Sequence, residues 1–83
     1  MSEAELLEIE KRLSLTKPGP WKAIIEGRDQ TSGSSFIQTA DYENSDIELI
    51  GASEADYDFI AFAREDIPKL ISEIRRLKSG NHL

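Results

Sequence analysis

The 83-residue chain holds few of the side chains that carry out catalysis in proteins. Its single histidine, His82, lies beside the last residue of the sequence, where side chains are rarely held firmly enough for chemistry. There is no cysteine, so disulfides and thiolate metal sites are excluded, and no Ser-His-Asp or Cys-His set can be assembled without His82. We therefore predict that the protein is not an enzyme and takes no cofactor.

A run of carboxylates is the most prominent cluster of ionisable side chains. Seven acids and no lysine or arginine lie between residues 41 and 58. The run does not match a calcium-binding loop, because its sixth position is Asp46 instead of glycine and its twelfth is Ala52 instead of glutamate. The alternate placement of Asp46 and Glu48 is instead typical of a solvent-facing strand edge. We predict no metal site in this run.

The same acidic run is the candidate interaction surface of the chain. The formal net charge is -6, and a negative field argues against direct binding of nucleic acid. The run permits two interpretations: a solvated rim that keeps the protein soluble, or a phosphate-like surface presented to a DNA-binding protein. The residues of this candidate surface are Asp41, Tyr42, Glu43, Asp46, Glu48, Asp56 and Asp58.

The elements that position these side chains begin with a helix over residues 1–14. Ser2 is followed three residues later by Glu5, which is the pattern of a capping box at a helix start. Leu6, Ile9 and Leu13 recur at the spacing of one helix face. We predict an amphipathic helix that packs on the rest of the domain.

A three-stranded sheet is predicted over residues 21–50. Two prolines around a glycine, at residues 18–20, lead into Trp21, a candidate core anchor. Three apolar segments follow, at residues 21–28, 36–40 and 46–50, and short polar loops that join antiparallel neighbours separate them. Apolar residues occur at both parities, which predicts that both sheet faces are partly covered. One set is Ile24, Ile37 and Ile50, and the other is Trp21, Phe36 and Ile47.

Residues 53–79 are predicted to form a helical hairpin. Ser53 is a suitable N-cap for the first helix, whose residues 57–63 are apolar on nearly every side and are expected to be buried on more than one face. Pro68 disfavours a helical conformation at the residue before it, so Asp66 is the predicted N-cap of the second helix. The predicted fold is one α+β domain over residues 1–83. Its element order is α-β-β-β-α-α, with a three-stranded antiparallel meander and helices on one face.

Two segments of the chain resemble a family of phage proteins. They are TKPGPW at residues 16–21 and DYDFIAFAREDIPKLISEIRRL at residues 56–77. These segments are similar to the TPGPW and FIAxARxDxPxL patterns of small phage and prophage proteins of the Ead-like type. The chain departs from that pattern by the inserted Lys17 and by Tyr57, where alanine is usual. The resemblance leaves the middle of the chain unmatched and implies a bacterial phage or prophage accessory protein, from a family of unknown function.

The predicted function is that of a small protein-interaction module. The absent catalytic groups, the resemblance and the apolar second sheet face favour a chain that binds an unidentified protein partner. The alternative is an acidic DNA mimic that inhibits a DNA-binding protein, and a symmetric homodimer through the hairpin or the sheet stays open as well. No run of about 18 apolar residues is present, so we expect no membrane span, no secretory signal and a cytoplasmic location.

Overall fold

The computed structural model describes residues 1–41, 43 and 46–80, and within them two helices and three strands follow the order α-β-β-β-α. The helices are α1, Glu3–Ser14, and α2, Glu54–Gly80. The strands are β1, Lys22–Ile24, β2, Phe36–Gln38, and β3, Asp46–Ile47. The predicted α+β class is confirmed, and all three strands are shorter than predicted.

Both predicted helix starts are confirmed by reciprocal hydrogen bonds. The Ser2 hydroxyl accepts a bond from the Glu5 backbone N–H at 3.1 Å, and the Glu5 carboxylate accepts one from the Ser2 N–H at 3.1 Å. Ser53 and Asp56 repeat this arrangement at the start of α2, at 3.1 and 3.0 Å. Each box satisfies two backbone groups at a helix end, so each helix begins where its sequence signal places it.

The sheet is the predicted antiparallel meander, with strand order β1-β2-β3. Ala23 pairs with Ile37, and Ile37 pairs with Ile47, so these three residues lie on one face of the sheet. On the other face, Ile24 pairs with Phe36. The predicted grouping of Ile37 with Ile24 is therefore wrong, because parity within separate strands assigns a face only after the pairing register is known.

The predicted helical hairpin is also wrong, because α2 is one helix of 27 residues with Pro68 inside it. The segment before the proline, Arg-Glu-Asp at residues 64–66, contains no glycine, and its arginine and glutamate favour helix, so it continues as helix. The apolar residues on either side of Pro68 then share one helix, and the helix can pack along its whole length. That packing offsets the free-energy cost of a proline in a helix, which is one lost backbone hydrogen bond and a clash of the proline ring with the backbone.

The N-terminal half of α2 covers the sheet. Tyr57 and Ala61 are buried against Ala23, Ile25 and Ile37. Trp21 packs at the edge of this cluster and donates its indole N–H to the Lys17 carbonyl at 3.0 Å, as expected of a core anchor. Burial of residues 57–63 on more than one face is not observed, since Phe59 and Phe62 keep 74% and 65% of their surface exposed.

The C-terminal half of α2 extends past the sheet and carries α1. Among the described elements, α1 contacts α2 and not the strands, which corrects the predicted packing of both helices on one sheet face. The radius of gyration of 15.8 Å exceeds the roughly 12 Å of a compact domain of this length. The molecule measures 54 × 23 × 20 Å, so α2 acts as a long axis with the sheet on one half and α1 on the other.

Replacing Pro68 with alanine is expected to stabilise the protein. Alanine restores the backbone N–H that can donate to the Arg64 carbonyl and removes the ring clash, for a gain of up to about 3 kcal/mol in the free energy of unfolding. Urea denaturation followed by circular dichroism measures this gain. Pro18→Ala, outside either helix, is the control and should show no comparable gain. A loss of stability in Pro68→Ala would show that the proline terminates a helix there.

Replacing Tyr57 with phenylalanine is expected to destabilise the sheet on α2. The buried Tyr57 hydroxyl accepts from the Leu49 N–H at 3.0 Å and lies 3.1 Å from the Ser35 carbonyl oxygen, so it joins two loops to the helix. Its removal leaves these backbone groups without that partner, which costs about 1–3 kcal/mol. An unchanged urea midpoint in Tyr57→Phe would contradict this role.

Candidate functional site

An apolar groove of about 530 Å³ runs between α1 and the C-terminal half of α2. Aliphatic side chains of both helices line it, together with Arg12 and Thr16. The aliphatic lining consists of Met1, Ile9, Leu13, Ile67, Leu70, Ile71 and Ile74. A groove with this lining is suited to apolar side chains of a ligand and offers little that would recognise a polar one.

The groove exists because the two helices meet along only one edge of their apolar stripes. Leu6 of α1 is fully buried and Ile71 of α2 is 4% exposed, and α1 contacts α2. Ile9 and Leu13 are half-buried, and Leu70 keeps 60% of its surface exposed. The periodic apolar spacing that builds each helix therefore supplies more apolar surface than the pair can cover.

Charged contacts hold α1 in place beside the groove. The Arg75 guanidinium donates to Glu10 at 2.7 and 2.9 Å and to Glu3 at 2.7 Å, so one α2 side chain binds two carboxylates of α1. Hydrogen bonding to Arg75 lowers the pKa of Glu10 below its ordinary value. Nearer the sheet, the Arg64 side chain donates to the Thr16 hydroxyl at 3.1 Å. These contacts fix the spacing of the groove walls at both ends.

Acids of the run between residues 41 and 58 bind groups of their own chain. Asp58 accepts two hydrogen bonds from the Arg28 guanidinium, at 2.8 and 3.0 Å, and Glu54 accepts one at 2.9 Å. Arg28 also binds its neighbour Asp29 at 2.9 Å. These hydrogen bonds lower the pKa values of Asp58 and Asp29 and raise the pKa of Arg28. Asp56 caps α2, and the Ser53 backbone N–H lowers its pKa.

The remaining residues of the predicted surface lie beside β2 and β3. Half-buried Asp41 sits 3.9 Å from the Lys17 ammonium. Glu43, Asp46 and Glu48 are exposed, and Tyr42 lies outside the described residues. Asp58 faces the β1 side of the sheet through Arg28, whereas Asp46 belongs to β3 at the opposite edge. The acidic run is thus divided between two edges.

Sequence reasoning missed the groove and the exposed apolar face of α2. Phe59, Leu70 and Leu77 are spaced by eleven and seven residues, which is a whole number of turns of one helix. That signal is visible in the sequence only if the helix continues through Pro68. Because a new helix was predicted to begin at Asp66, Phe59 was assigned to a different helix from Leu70 and Leu77, and their common face was missed.

Neither protein-family models, nor curated proteins, nor solved structures show a match to this chain. The resemblance to small phage proteins therefore stays a prediction. Within the described residues, no group of three or more His, Cys, Asp or Glu side chains is placed to hold a metal ion. In the same part of the chain, no helix is long and apolar enough to cross a membrane.

The carboxylates bound to arginine are expected to make stability depend on acid pH. The ordinary pKa values are 3.8 for Asp29 and Asp58 and 4.5 for Glu10, and all three are lowered in the folded chain. Their stabilising contribution is therefore complete above these ordinary values and is lost as pH falls through the lower folded values. Urea midpoints measured between about pH 6 and pH 2.5 should fall in the acid part of that range.

The control for this acid dependence is Arg28→Gln. Without the guanidinium, the pKa values of Asp29 and Asp58 return toward their ordinary values. The variant should therefore lose less stability than the wild type between about pH 5 and about pH 3, the range around those ordinary values. An equal loss in both proteins would show that Arg28 does not couple folding to these carboxylates.

Proposed function

We propose that this chain is a small protein-interaction module that binds an amphipathic helix of a partner protein in the groove between α1 and α2. The observation that carries the proposal is the groove itself, because apolar side chains from both helices line it and the fold leaves it open. Helix-in-groove binding needs an apolar surface of this kind on the protein, and anchors three or four residues apart on the ligand.

The polar residues of the groove support the same interpretation. Arg12 is one of two polar residues in the lining, so it can contact an acidic residue of a bound helix. Ile9, Leu13 and Ile74 are half-buried, so a ligand would cover surface that is already partly removed from water. Burial of their remaining apolar surface would contribute about 25 cal/mol per Å².

The acidic DNA-mimic alternative has less support. A mimic needs carboxylates that are free to face a basic partner, and Glu54, Asp56 and Asp58 are engaged within the chain. The division of the run between two sheet edges weakens it further. An accessory role in a phage or prophage, in the cytoplasm of a bacterium, is the biological setting that the resemblance adds to the proposal.

Leu13→Glu is the variant that tests the groove. A carboxylate in the apolar lining should abolish the capture of a partner from a nuclease-treated bacterial lysate, while capture by the wild type should persist when the salt concentration is raised. Leu7→Glu is the matched control, since it is the same change on the same helix at an exposed position outside the groove. Helix content measured by circular dichroism should be equal in both variants.

A second variant separates the two functions. Glu43→Gln, Asp46→Asn and Glu48→Gln together remove charge beside β3 and leave the groove unchanged. This variant should capture the partner as well as the wild type does. Capture that survives Leu13→Glu but is lost in the neutralised variant would replace the groove with the acidic surface as the binding site.

A further inference from the structure

A ridge of large apolar side chains follows the outer face of α2. Its members are Phe59, Phe62, Leu70 and Leu77, which keep 74%, 65%, 60% and 52% of their surface exposed. Phe59, Leu70 and Leu77 lie on one line along the helix, because whole turns separate them. Exposed apolar residues that stand singly are ordinary, but several large ones on one face of a helix indicate a contact surface.

Two charged residues, Asp66 and Lys69, lie beside the middle of this ridge. Both are exposed, and within the described part of the chain neither takes part in an ion pair. Other charged residues of α2 do form ion pairs: Arg75 binds carboxylates of α1, and Arg76 binds Glu73. At helical spacing, Asp66 and Lys69 fall on the same flank of the ridge as Phe62.

We propose that the ridge binds the ridge of a second copy of this chain, with the two α2 helices antiparallel. A two-fold axis beside residues 67–68 brings Phe59 of one copy against Leu77 of the other. The same axis brings Asp66 of each copy near Lys69 of the other, because the midpoints of the two pairs lie about half a residue apart in the sequence. A symmetric interface requires a surface that complements itself in this way.

The charges along α2 favour the antiparallel orientation. Glu54, Asp58, Arg75 and Arg76 bind groups of their own chain, whereas Asp66 and Lys69 take part in no ion pair within the described residues. Antiparallel packing places Asp66 of one copy near Lys69 of the other, and parallel packing would place like charges together. The distance from residue 59 to residue 77 is about 27 Å along the helix, so the contact extends over most of α2.

The small core of the domain supports a second copy as the occupant. The described part of the chain buries only seven hydrophobic residues, and two of the seven are alanines. Association of identical chains is a common way for small domains to cover apolar surface that one chain leaves exposed. This proposal goes beyond the proposed function, because the ridge and the groove share only Leu70.

The oligomeric state of the full chain tests the proposal. Light scattering coupled to size exclusion should give twice the chain mass of 9.3 kDa at high micromolar concentration. Phe59→Glu and Leu77→Glu should each give the monomer mass, with unchanged helix content, because both residues are exposed. Leu7→Glu is the control and should stay dimeric. A monomeric wild type would overturn the proposal and leave the groove-binding function standing.

Charge exchange and cross-linking test the orientation. Asp66→Lys should weaken the dimer at least tenfold, and Asp66→Lys combined with Lys69→Asp should restore it. Since the chain has no cysteine, Phe59→Cys and Leu77→Cys can be mixed and oxidised on a clean background. Disulfides should join position 59 to position 77. Predominant 59-to-59 and 77-to-77 products, or a double exchange that does not restore the dimer, would overturn the antiparallel arrangement.

Discussion

The continuity of α2 is the constraint on which the rest of the structure depends. The helix is about 40 Å long, and it is the only element that contacts both the sheet and α1 among the described elements. Tyr57 and Ala61 hold the sheet on one half, and Ile71 with Arg75 holds α1 on the other. A break at Pro68 would remove the fixed relation between these two halves, so the groove depends on a proline being accommodated within a helix.

The same arrangement explains why so much apolar surface stays exposed. A chain of this length can bury only about 60% of the surface that it exposes when unfolded. Here the sheet and α1 lie one after the other along α2 instead of around one centre. Each of them therefore packs on only one side of the helix. The groove beside α1 and the ridge on the outer face are parts of α2 that no helix or strand of the described residues covers. Binding surfaces and a limited core are thus two results of one geometry.

Local features were predictable from the sequence, and features that depend on distant residues were not. The capping boxes at Ser2 and Ser53 and the meander follow from short-range patterns. The course of the chain at Pro68 depends on a balance between the cost of a proline and packing along the helix, which local preference does not contain. Likewise, the sequence shows that Asp58 is one of seven acids, but its partner Arg28 is 30 residues away. When such pairs form, a count of charges in the sequence overestimates the number of carboxylates that a partner can bind.

The separation of α1 from the sheet has a consequence for cooperativity. Two groups of contacts share a helix but do not touch, so α1 can undock while Tyr57 and the strands keep their packing. Local unfolding of this kind makes a protein open in parts, with amide exchange slower in one part than in the other. A ligand in the groove would then act mainly on the part formed by α1 and the C-terminal half of α2. That stabilisation would reach the sheet through α2 and through the segment after α1, where Lys17 contacts Asp41 and the Trp21 indole.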